Sequence, residues 1–414
     1  MKTARKVGIV IWALVAVLLV GLMITGIAVG PQFLTNRLVF YSGSGLNDEN
    51  TEIAGEYSVD IEDIKEINLN WKSGLIRIST YNGNDIKLTE RVPNNSKEYD
   101  KMTYKVKSGK LSVDSNAGVE WYFLSFGPVQ KILHIEIPED KPELLESIII
   151  DSESADVAVE GLNIENLQAE LTSGDVKIDS SKIDNCNVKS TSGEITMDQL
   201  EAYSKKGNNT IQAECTSGDV KLYKCTAKTA NLSSTSGDST CDNLTATNSV
   251  VVSSTSGDVK ISDCETSDLK LSSSSGEVLA EFTTADSITA SSTSGNVSLN
   301  ADAKKINCSS SSGDVTADGK IYGADMNSTS GNIVVTSSVV LTEVDFSTSS
   351  GDMRLYIPSD DKNGFTATYD TSAGDFYSDL EINSNRDDSE FTYGNGKYTY
   401  TFESSSGDLT IDSN

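Results

Sequence analysis

A glycine preceded by small polar residues and followed by an acidic or amide residue recurs twelve times between residues 174 and 407. Clear copies are Ser173-Gly174-Asp175-Val176 and Ser256-Gly257-Asp258-Val259. From residue 218 to residue 351 successive copies are 18, 19 or 20 residues apart. A period this regular indicates a repeat fold, in which each unit buries its apolar face against its neighbours. We call these residues the key glycines and predict that they are structural turn residues: Gly174, Gly193, Gly218, Gly237, Gly257, Gly276, Gly295, Gly313, Gly331, Gly351, Gly374 and Gly407.

Apolar and polar residues alternate on both sides of each key glycine. The positions seven and five residues before it, and two and four residues after it, are mostly apolar, as at Val250, Val252, Val259 and Ile261; Ser239 is an exception. This alternation predicts two short strands per unit with one face inward. A glycine at the corner between them allows positive φ and close approach of backbones. Because every unit keeps the same phase, we predict an all-β fold, a parallel β-solenoid with coils of about 19 residues. A hairpin meander or sandwich is the alternative.

The N-terminus carries a candidate membrane anchor. Residues 7–29 contain no charged side chain and follow Lys2, Arg5 and Lys6. This length is sufficient to span a bilayer, and the basic flank predicts a cytoplasmic N-terminus with the repeats outside the cell. A cleavable signal peptide is the alternative, with a weak site at Gly26-Ile27-Ala28. We therefore predict a single-pass protein of the cell membrane.

The pattern divides the rest of the chain into segments. Residues 41–56 are rich in Gly, Ser, Asn and acids, which is typical of a flexible linker. Strands with degenerate repeats follow, and the chain ends in an aromatic-rich segment with longer glycine spacing. The predicted organisation is a cytoplasmic tail (1–6), a transmembrane anchor (7–29), a linker (30–56), an N-terminal cap with degenerate β-repeats (57–151), regular solenoid repeats (152–358) and a C-terminal cap (359–414).

Charge and cysteine positions exclude several classes of protein. The chain has 33 basic and 61 acidic residues, and only three basic and no acidic ones lie in the first 30, so the exported part has a net charge near −31. Such a charge repels nucleic acid, which we exclude as a partner. Cys186, Cys215, Cys241 and Cys308 fall at inward strand positions, and Cys225 and Cys264 share a phase two coils apart. Since two coils separate them by roughly 10 Å, we predict buried free thiols and no disulfide framework.

The chain resembles a known family at these residues. A predicted anchor, a weakly repeated segment ending in Ile135-Glu136-Ile137-Pro138, and many S-G-D-[VI] units resemble the bacterial putative-adhesin family of unknown function, which includes LiaG-like envelope proteins. The resemblance covers residues 57–414. It implies a right-handed parallel β-helix at the bacterial surface and transfers no catalytic residue.

An acidic column after the key glycines is the most prominent candidate site. Asp219, Asp238 and Asp258 are the weak candidates for metal ligands, because stacked carboxylates supply the oxygen ligands that calcium takes. The second glycine of calcium β-rolls is missing, so we favour a structural role in which Asp and Asn accept hydrogen bonds from local backbone N–H groups. Serines three residues before the key glycines are predicted to form hydroxyl ladders along the stack. Trp71, Trp121 and Tyr122 are predicted to cap a core, with a sugar-stacking platform as the alternative.

The predicted function is a non-catalytic, membrane-anchored β-repeat protein of the cell surface, an adhesin or envelope scaffold, without catalytic residues or cofactors. Its expected partners are the membrane, through the N-terminal helix, and a cell-wall polymer, a host surface or a membrane protein. An envelope-stress sensor acting through a membrane partner is the alternative. A calcium-binding β-roll and a polysaccharide-acting β-helix enzyme are less favoured, since the acids are evenly spread and Arg354 is the only arginine between Gly174 and Gly374.

Overall fold

A computed structural model of the chain describes residues 46–94, 96, 99–116, 119–122, 125–128, 130–141, 144–202, 207–384 and 389–414. The predicted tail (1–6), the anchor (7–29) and residues 30–45 of the predicted linker lie outside the described residues. Among the residues that are described, no helix is both long and apolar enough to cross a membrane. The architecture below belongs to one compact unit, Leu46–Asn414.

The described residues of this unit form thirty strands and two short 3₁₀ helices. The first part contains β1 (Thr51–Asp60), η1 (Ile61–Asp63), β2 (Glu66–Tyr81), β3 (Asp85–Pro93), β4 (Thr103–Lys107), β5 (Lys110–Asp114), β6 (Val119–Tyr122), β7 (Ser125–Pro128) and β8 (Lys131–Pro138). The middle contains β9 (Ser147–Glu160), β10 (Asn163–Ser173), β11 (Val176–Asp179), β12 (Lys182–Ser192), β13 (Ile195–Asp198), β14 (Thr210–Cys215), β15 (Val220–Ser234), β16 (Ser239–Ser254), β17 (Val259–Ser273), β18 (Val278–Ser292) and β19 (Val297–Ser310). The last part contains β20 (Val315–Gly319), β21 (Gly323–Ser328), β22 (Ile333–Ser337), β23 (Glu343–Thr348), β24 (Met353–Ile357), η2 (Asp361–Asn363), β25 (Phe365–Thr371), β26 (Phe376–Tyr377), β27 (Ile382–Ser384), β28 (Glu390–Tyr393), β29 (Tyr398–Ser404) and β30 (Leu409–Ser413).

Successive coils pair in parallel, with equivalent residues side by side. Val220 of β15 pairs with Ser239 of β16, which pairs with Val259 of β17. The ladder continues in the same register through β18 and β19, and β10, β12 and β14 form the same parallel series before it. The predicted all-β parallel solenoid is confirmed.

The inward columns form a continuous apolar core along the stack. All residues at the positions seven and five before the key glycine are buried, and so are those four after it except Ser378, which is partly exposed. The residues two positions after the key glycine are also buried, except Phe376, which is partly buried. The polar exception, Ser239, is fully buried and donates its hydroxyl to the carbonyl oxygen of Ser253 at 3.0 Å. The period-two pattern in the sequence therefore places the core correctly.

The cysteines belong to this core. All six are buried and free. Leu244 pairs with Cys225 on one side and with Cys264 on the other, so these two cysteines are two coils apart as predicted. Burial raises the pKa of Cys225 to about 11 and the pKa of Cys264 and Cys308 to about 12. These thiols are therefore protonated at neutral pH and act as small apolar side chains.

At the N-terminal end, chain order and stacking order differ. One edge of β2 pairs in parallel with β9, and the other pairs with β5 and β8. Antiparallel strands then continue the sheet, from β8 to β3 to β1 on one side and from β5 to β4 on the other. Residues 51–56, which we predicted to be linker, form the first half of β1. The open edges of the solenoid are thus covered by antiparallel strands, as exposed sheet edges require.

A buried ion pair fixes this N-terminal cap. Lys131 and Glu90 are fully buried, and the Lys131 Nζ lies 2.8 Å from the Glu90 Oε1. The ammonium also donates to the carbonyl oxygens of Ser115, at 2.9 Å, and of Asp100. The carboxylate of Glu90 accepts the backbone N–H of Met102. Since each charge has several partners, the pair ties β3 and β8 to the chain before β4 and after β5.

At the C-terminal end, the coil formed last in the chain is not the last in the stack. We predicted coils stacking in chain order, but β29 and β30 pair with β23 and β24, and β25 and β26 lie outside them. Aromatic contacts join the displaced segments: the ring centroids are 4.4 Å apart for Phe365 and Tyr400 and 3.9 Å for Phe376 and Phe391. Antiparallel β28 and β27 complete this end.

Candidate functional site

The corners at Gly237 and Gly257 leave no room for a side chain. A Cβ atom built on Gly237 would lie 2.2 Å from the carbonyl oxygen of Gly218, and one on Gly257 would lie 2.2 Å from that of Gly237. We predicted positive φ here, but among the key glycines only Gly174 and Gly193 have it. From Gly218 onwards, the requirement for glycine comes from the close approach of the neighbouring coil's backbone.

From Gly237 to Gly331, the serine three residues before each key glycine bridges two coils. Ser254 donates its hydroxyl to the carbonyl oxygen of Gly237 in the preceding coil and accepts the N–H of its own Gly257, both at 2.9 Å. Ser234, Ser273, Ser292, Ser310 and Ser328 repeat both bonds. We predicted ladders of hydroxyls, but these bonds join hydroxyl to backbone. Each serine satisfies two backbone groups that the tight corner would leave buried without partners.

The acidic column continues this bonding on the outer side of the corner. The Asp219 Oδ1 accepts the N–H of Asp238, at 3.0 Å, and the Asp238 Oδ1 accepts the N–H of Asp258, at 2.8 Å. Asp258 in turn accepts the N–H of Glu277 at 2.9 Å. We expected bonds within the turn, whereas these bonds reach the equivalent residue of the next coil. Asparagine serves equally well, since the Asn296 Oδ1 accepts the N–H of Asp314 at 2.9 Å.

Lysines neutralise part of the acidic column. The Lys260 Nζ lies 3.0 Å from the Asp258 Oδ2, and the Lys221 Nζ lies 3.2 Å from the Asp219 Oδ2. The bond from Lys260 and the N–H of Glu277 lower the pKa of Asp258. In the described part of the chain, no three His, Cys, Asp or Glu side chains are grouped so that they could hold a metal ion. The candidate metal ligands are Asp219, Asp238 and Asp258, and the Oδ1 atom of each accepts a backbone N–H group.

One member of the column escaped the sequence analysis. Asp156 accepts the N–H of Asp175 at 3.0 Å, and Ala155 occupies the place of the key glycine. The N–H of Ala155 bonds the Ser152 hydroxyl at 2.9 Å, as the glycines of later coils do. The signal was present in the motif Ser154-Ala155-Asp156-Val157, which differs from the repeat only in the glycine.

The coils from Gly174 to Gly276 have a second corner, six residues after the key glycine, that the sequence did not reveal. The residue there has positive φ although it is not glycine, as in Lys224 (51°), Asn243 (55°), Asp263 (49°) and Phe282 (49°). These residues differ in size, charge and polarity, so no recurring residue type marks the corner in the sequence. Positive φ is unfavourable for residues with a Cβ, above all for a bulky one such as phenylalanine.

Concave surfaces lie on the outside of the stack, and two of them follow columns of equivalent residues. The first, of about 970 Å³, follows the serine columns from Asp151 to Ser274 and is lined mainly by Ser and Thr hydroxyls with Glu170, Lys189 and Glu214. The second, of about 570 Å³, lies beyond the second corner, and we call it the lateral cleft. Two columns form its sides: Thr245, Glu265, Thr284, Asp302 and Lys320, and Thr247, Ser267, Asp286, Lys304 and Tyr322.

Charged and aromatic side chains come together in the lateral cleft. The Lys304 Nζ lies 2.7 Å from the Asp286 Oδ1, and the Lys320 Nζ lies 5.7 Å from the centroid of the Tyr322 ring. Between the two columns lie the small buried residues Ala285 and Ala303. We predicted evenly spread acids from the sequence. This mixed cluster was not predicted, because register across five coils is needed to bring its members together.

The predicted aromatic site is only partly described. Trp71 is fully buried, and its Nε1 donates to the carbonyl oxygen of Lys131 at 3.3 Å. Trp71 is therefore part of the core of the N-terminal cap. The side chains of Trp121 and Tyr122 lie outside the described part of the structure.

Comparisons with solved structures find chains of related description at low similarity. A putative cell adhesion protein from Clostridium sporogenes is 11% identical, with 88% of this chain and 100% of the other covered and a TM-score of 0.17. A putative adhesin from Bacteroides fragilis is 15% identical (74% and 97% covered, TM-score 0.25), and one from Parabacteroides distasonis is 13% identical (73% and 96% covered, TM-score 0.22). Similarity at these TM-scores carries no argument about this chain. No curated protein matches it.

The comparison with family models identifies the family of this chain. The model of the Toastrack DUF4097 family matches residues 64–208, 205–323 and 317–412, which together extend over nearly all of the described chain. The resemblance to a β-repeat family of unknown function, which the S-G-D-[VI] units indicated, is confirmed. The chain belongs to the Toastrack DUF4097 family.

Proposed function

We propose that this protein is a non-catalytic protein of the bacterial cell surface that is held in the membrane by residues 7–29 and works as an adhesin or envelope scaffold. The proposal rests on the hydrogen bonds that the repeated polar residues form within the stack. Ser254 bonds Gly237 of the preceding coil and the N–H of Gly257 in its own coil, and Asp258 accepts the N–H of Glu277 in the following coil. Equivalent residues repeat these bonds along the stack. The repeat therefore builds a self-supporting stack, and its outward faces remain free for binding.

The charge of the exported part is consistent with this location. A net charge near −31 keeps an extracellular stack soluble and separates it from nucleic acid and anionic lipid. The partners that fit are a cell-wall polymer, a host surface or another membrane protein.

Protease treatment of intact cells tests both location and role. Protease should remove the repeats, leave a small membrane-bound N-terminal fragment and reduce attachment of the cells to their substrate. Cells lacking the protein provide the control for attachment. Recovery of the whole protein from the culture medium, beginning near residue 29, would contradict the membrane anchor, and unchanged attachment after shaving would contradict adhesion.

We also propose that the acidic column is structural and that the protein is not a calcium-binding β-roll. The Oδ1 atoms of Asp219, Asp238 and Asp258 accept backbone N–H groups, which fixes the carboxylates in place without a cation. Calorimetric titration with calcium should show only weak, screened accumulation of ions. Several sites tighter than about 10 µM, or a fold that depends on calcium, would assign the column to metal binding.

A further inference from the structure

The lateral cleft is where the regularity of the outward surface breaks down. The hydroxyl-lined groove of about 970 Å³ repeats Ser and Thr from coil to coil, so no position along its central part differs from the next. The lateral cleft instead combines three carboxylates, two ammonium groups, hydroxyls and one aromatic ring. Its volume, about 570 Å³, lies in the range of small-molecule and oligomer sites, which have a few convergent polar groups. A surface that served only to cover the core would have no need of this mixture.

Phe282 gives a second, independent indication at the same place. It lies two residues before Thr284 of the cleft, and 69% of its surface is exposed, the largest value among the large hydrophobic residues described. Its φ of 49° is unfavourable for a bulky side chain. Asn243 and Asp263 occupy the same corner in the two preceding coils. The position thus tolerates polar residues that would cost less in both conformation and exposure.

The next coil leaves the Phe282 ring uncovered. Between β18 and β19, Ala280 pairs with Leu299 and Thr283 with Ala301, so two residues of one coil lie opposite a single residue of the next. Nothing equivalent to Phe282 therefore stacks on it from that side. Strain and exposure that persist at one position are typical of a functional site.

We infer that the lateral cleft binds a neutral glycan chain, with Phe282 and Tyr322 as two aromatic surfaces for sugar rings. The inference rests on the proposed function and specifies its ligand. Tyr322 is 39% exposed on one side of the cleft, and Phe282 lies beside the other. The coils of Phe282 and Tyr322 are two steps apart, roughly 10 Å along the stack. Separate rings of an extended glycan could therefore rest on the two aromatic faces.

The polar groups of the cleft select the class of ligand. Sugar hydroxyls both donate and accept, and the cleft offers carboxylate acceptors on Glu265 and Asp302 and ammonium donors on Lys304 and Lys320. Three carboxylates against two ammonium groups, within a strongly acidic protein, disfavour a polyanion. The five charged side chains of the cleft disfavour a purely apolar peptide, because its binding would bury them without polar partners. A neutral polyhydroxylated chain is the ligand that uses both kinds of group.

Binding of the full-length protein in detergent to a glycan microarray tests the inference. The array carries neutral, uronic-acid, sialylated and phosphorylated oligosaccharides. We expect retention on neutral glycans, reduced at least tenfold by Tyr322→Ala and by Phe282→Asn. Tyr377→Ala, which removes a tyrosine that is 52% exposed in the C-terminal region, is the matched control and should change retention less than twofold.

Thermal unfolding separates binding from folding. Phe282→Asn should unfold no earlier than the parent protein, because asparagine tolerates positive φ and already occupies this corner at residue 243. Retention of acidic glycans only, no retention of any neutral glycan, or equal losses in all three variants would overturn the inference. A blank array with cells whose attachment is still lost on shaving would reject the glycan site and leave the adhesin proposal intact. Release of reducing sugar from a retained glycan would support the cleft and overturn the non-catalytic proposal.

Discussion

In the coils from Gly174 to Gly276, the two corners are held by different means. At the key-glycine corner, a Cβ on Gly257 would lie 2.2 Å from the carbonyl oxygen of the preceding coil, so only glycine fits. At the second corner, Lys224, Asn243, Asp263 and Phe282 all adopt positive φ. The first corner is constrained by contact between coils and the second by the backbone of a single residue. A constraint between coils repeats in the sequence, whereas a local backbone preference can be met by many residues at a modest cost.

The same comparison separates structure from function. The key-glycine corner is filled with hydrogen bonds between coils, and the polar residues that repeat there are occupied by the fold. The second corner makes few such demands on its side chains, so they are free to differ between coils. A surface whose side chains can differ from coil to coil can be adapted to a ligand. It is beside this corner that the lateral cleft and the exposed Phe282 lie.

The largest effect is expected from a side chain at the key-glycine corner. Gly257→Ala should destabilise the protein by about 3 kcal/mol, because the new Cβ meets the backbone carbonyl of Gly237 and that backbone cannot move without displacing the next coil. Urea unfolding followed by circular dichroism measures the change. Ser256→Ala, at the exposed neighbouring position, is the control and should change the midpoint little. Equal midpoints for the two variants would show that the coils are not in this close contact.

The bridging serine should give the next largest effect. Ser254→Ala removes the hydroxyl that serves the carbonyl of Gly237 and the N–H of Gly257, leaving two buried backbone groups without partners. We expect a loss of about 2 kcal/mol. Thr255→Ala, one residue further and exposed, should cost less than about 0.5 kcal/mol. If the threonine variant loses as much stability as the serine variant, the assignment of inward and outward positions is wrong.

The aspartate column should give a smaller effect that depends on pH. Asp258→Ala should cost about 1 kcal/mol by removing the acceptor for the N–H of Glu277, whereas Asp258→Asn keeps an acceptor and should cost less. Lys260 and that N–H lower the folded-state pKa of Asp258. Its charge-dependent stabilisation is therefore complete above the unfolded-state pKa, near 3.8, and is lost as the pH falls through the lower folded-state value.

Urea midpoints of the parent protein and the Asp258→Asn variant, compared from about pH 2 to 7, isolate this contribution. The difference between them should shrink towards acid pH as Asp258 becomes protonated. A difference that stays constant over this range would mean that the carboxylate charge contributes nothing to the corner.

Periodicity made the core and the coil predictable, because both depend on residues that recur in every unit. The columns containing Val252 and Val259 are buried as their alternation predicts. The stacking order at the ends was not predictable, since β29 and β30 enter the stack through a pairing that no local pattern encodes. The ion pair of Lys131 and Glu90 joins residues 41 positions apart outside the regular repeats. The lateral cleft likewise depends on the register of five coils. The spacing of 18 to 20 residues limits the possible registers but does not determine which residues lie side by side.

The second corner provides the smallest effect and the one of opposite sign. Gln199 has a φ of 52°, and its backbone N–H donates to the carbonyl oxygen of Tyr223 at 2.9 Å, a bond that glycine would keep. Gln199→Gly removes an unfavourable conformation worth about 1–2 kcal/mol and adds about 1 kcal/mol of conformational entropy to the unfolded chain, so a net gain of about 0.5 kcal/mol is expected. Gln212→Gly, in the extended strand β14, meets only the entropic cost and should lose about 1 kcal/mol. Equal losses for the two variants in urea unfolding would mean that positive φ costs nothing at this corner. A gain at residue 199 beside a loss at residue 212 would instead show that the corner carries backbone strain, which the chain tolerates there while leaving the side chain free.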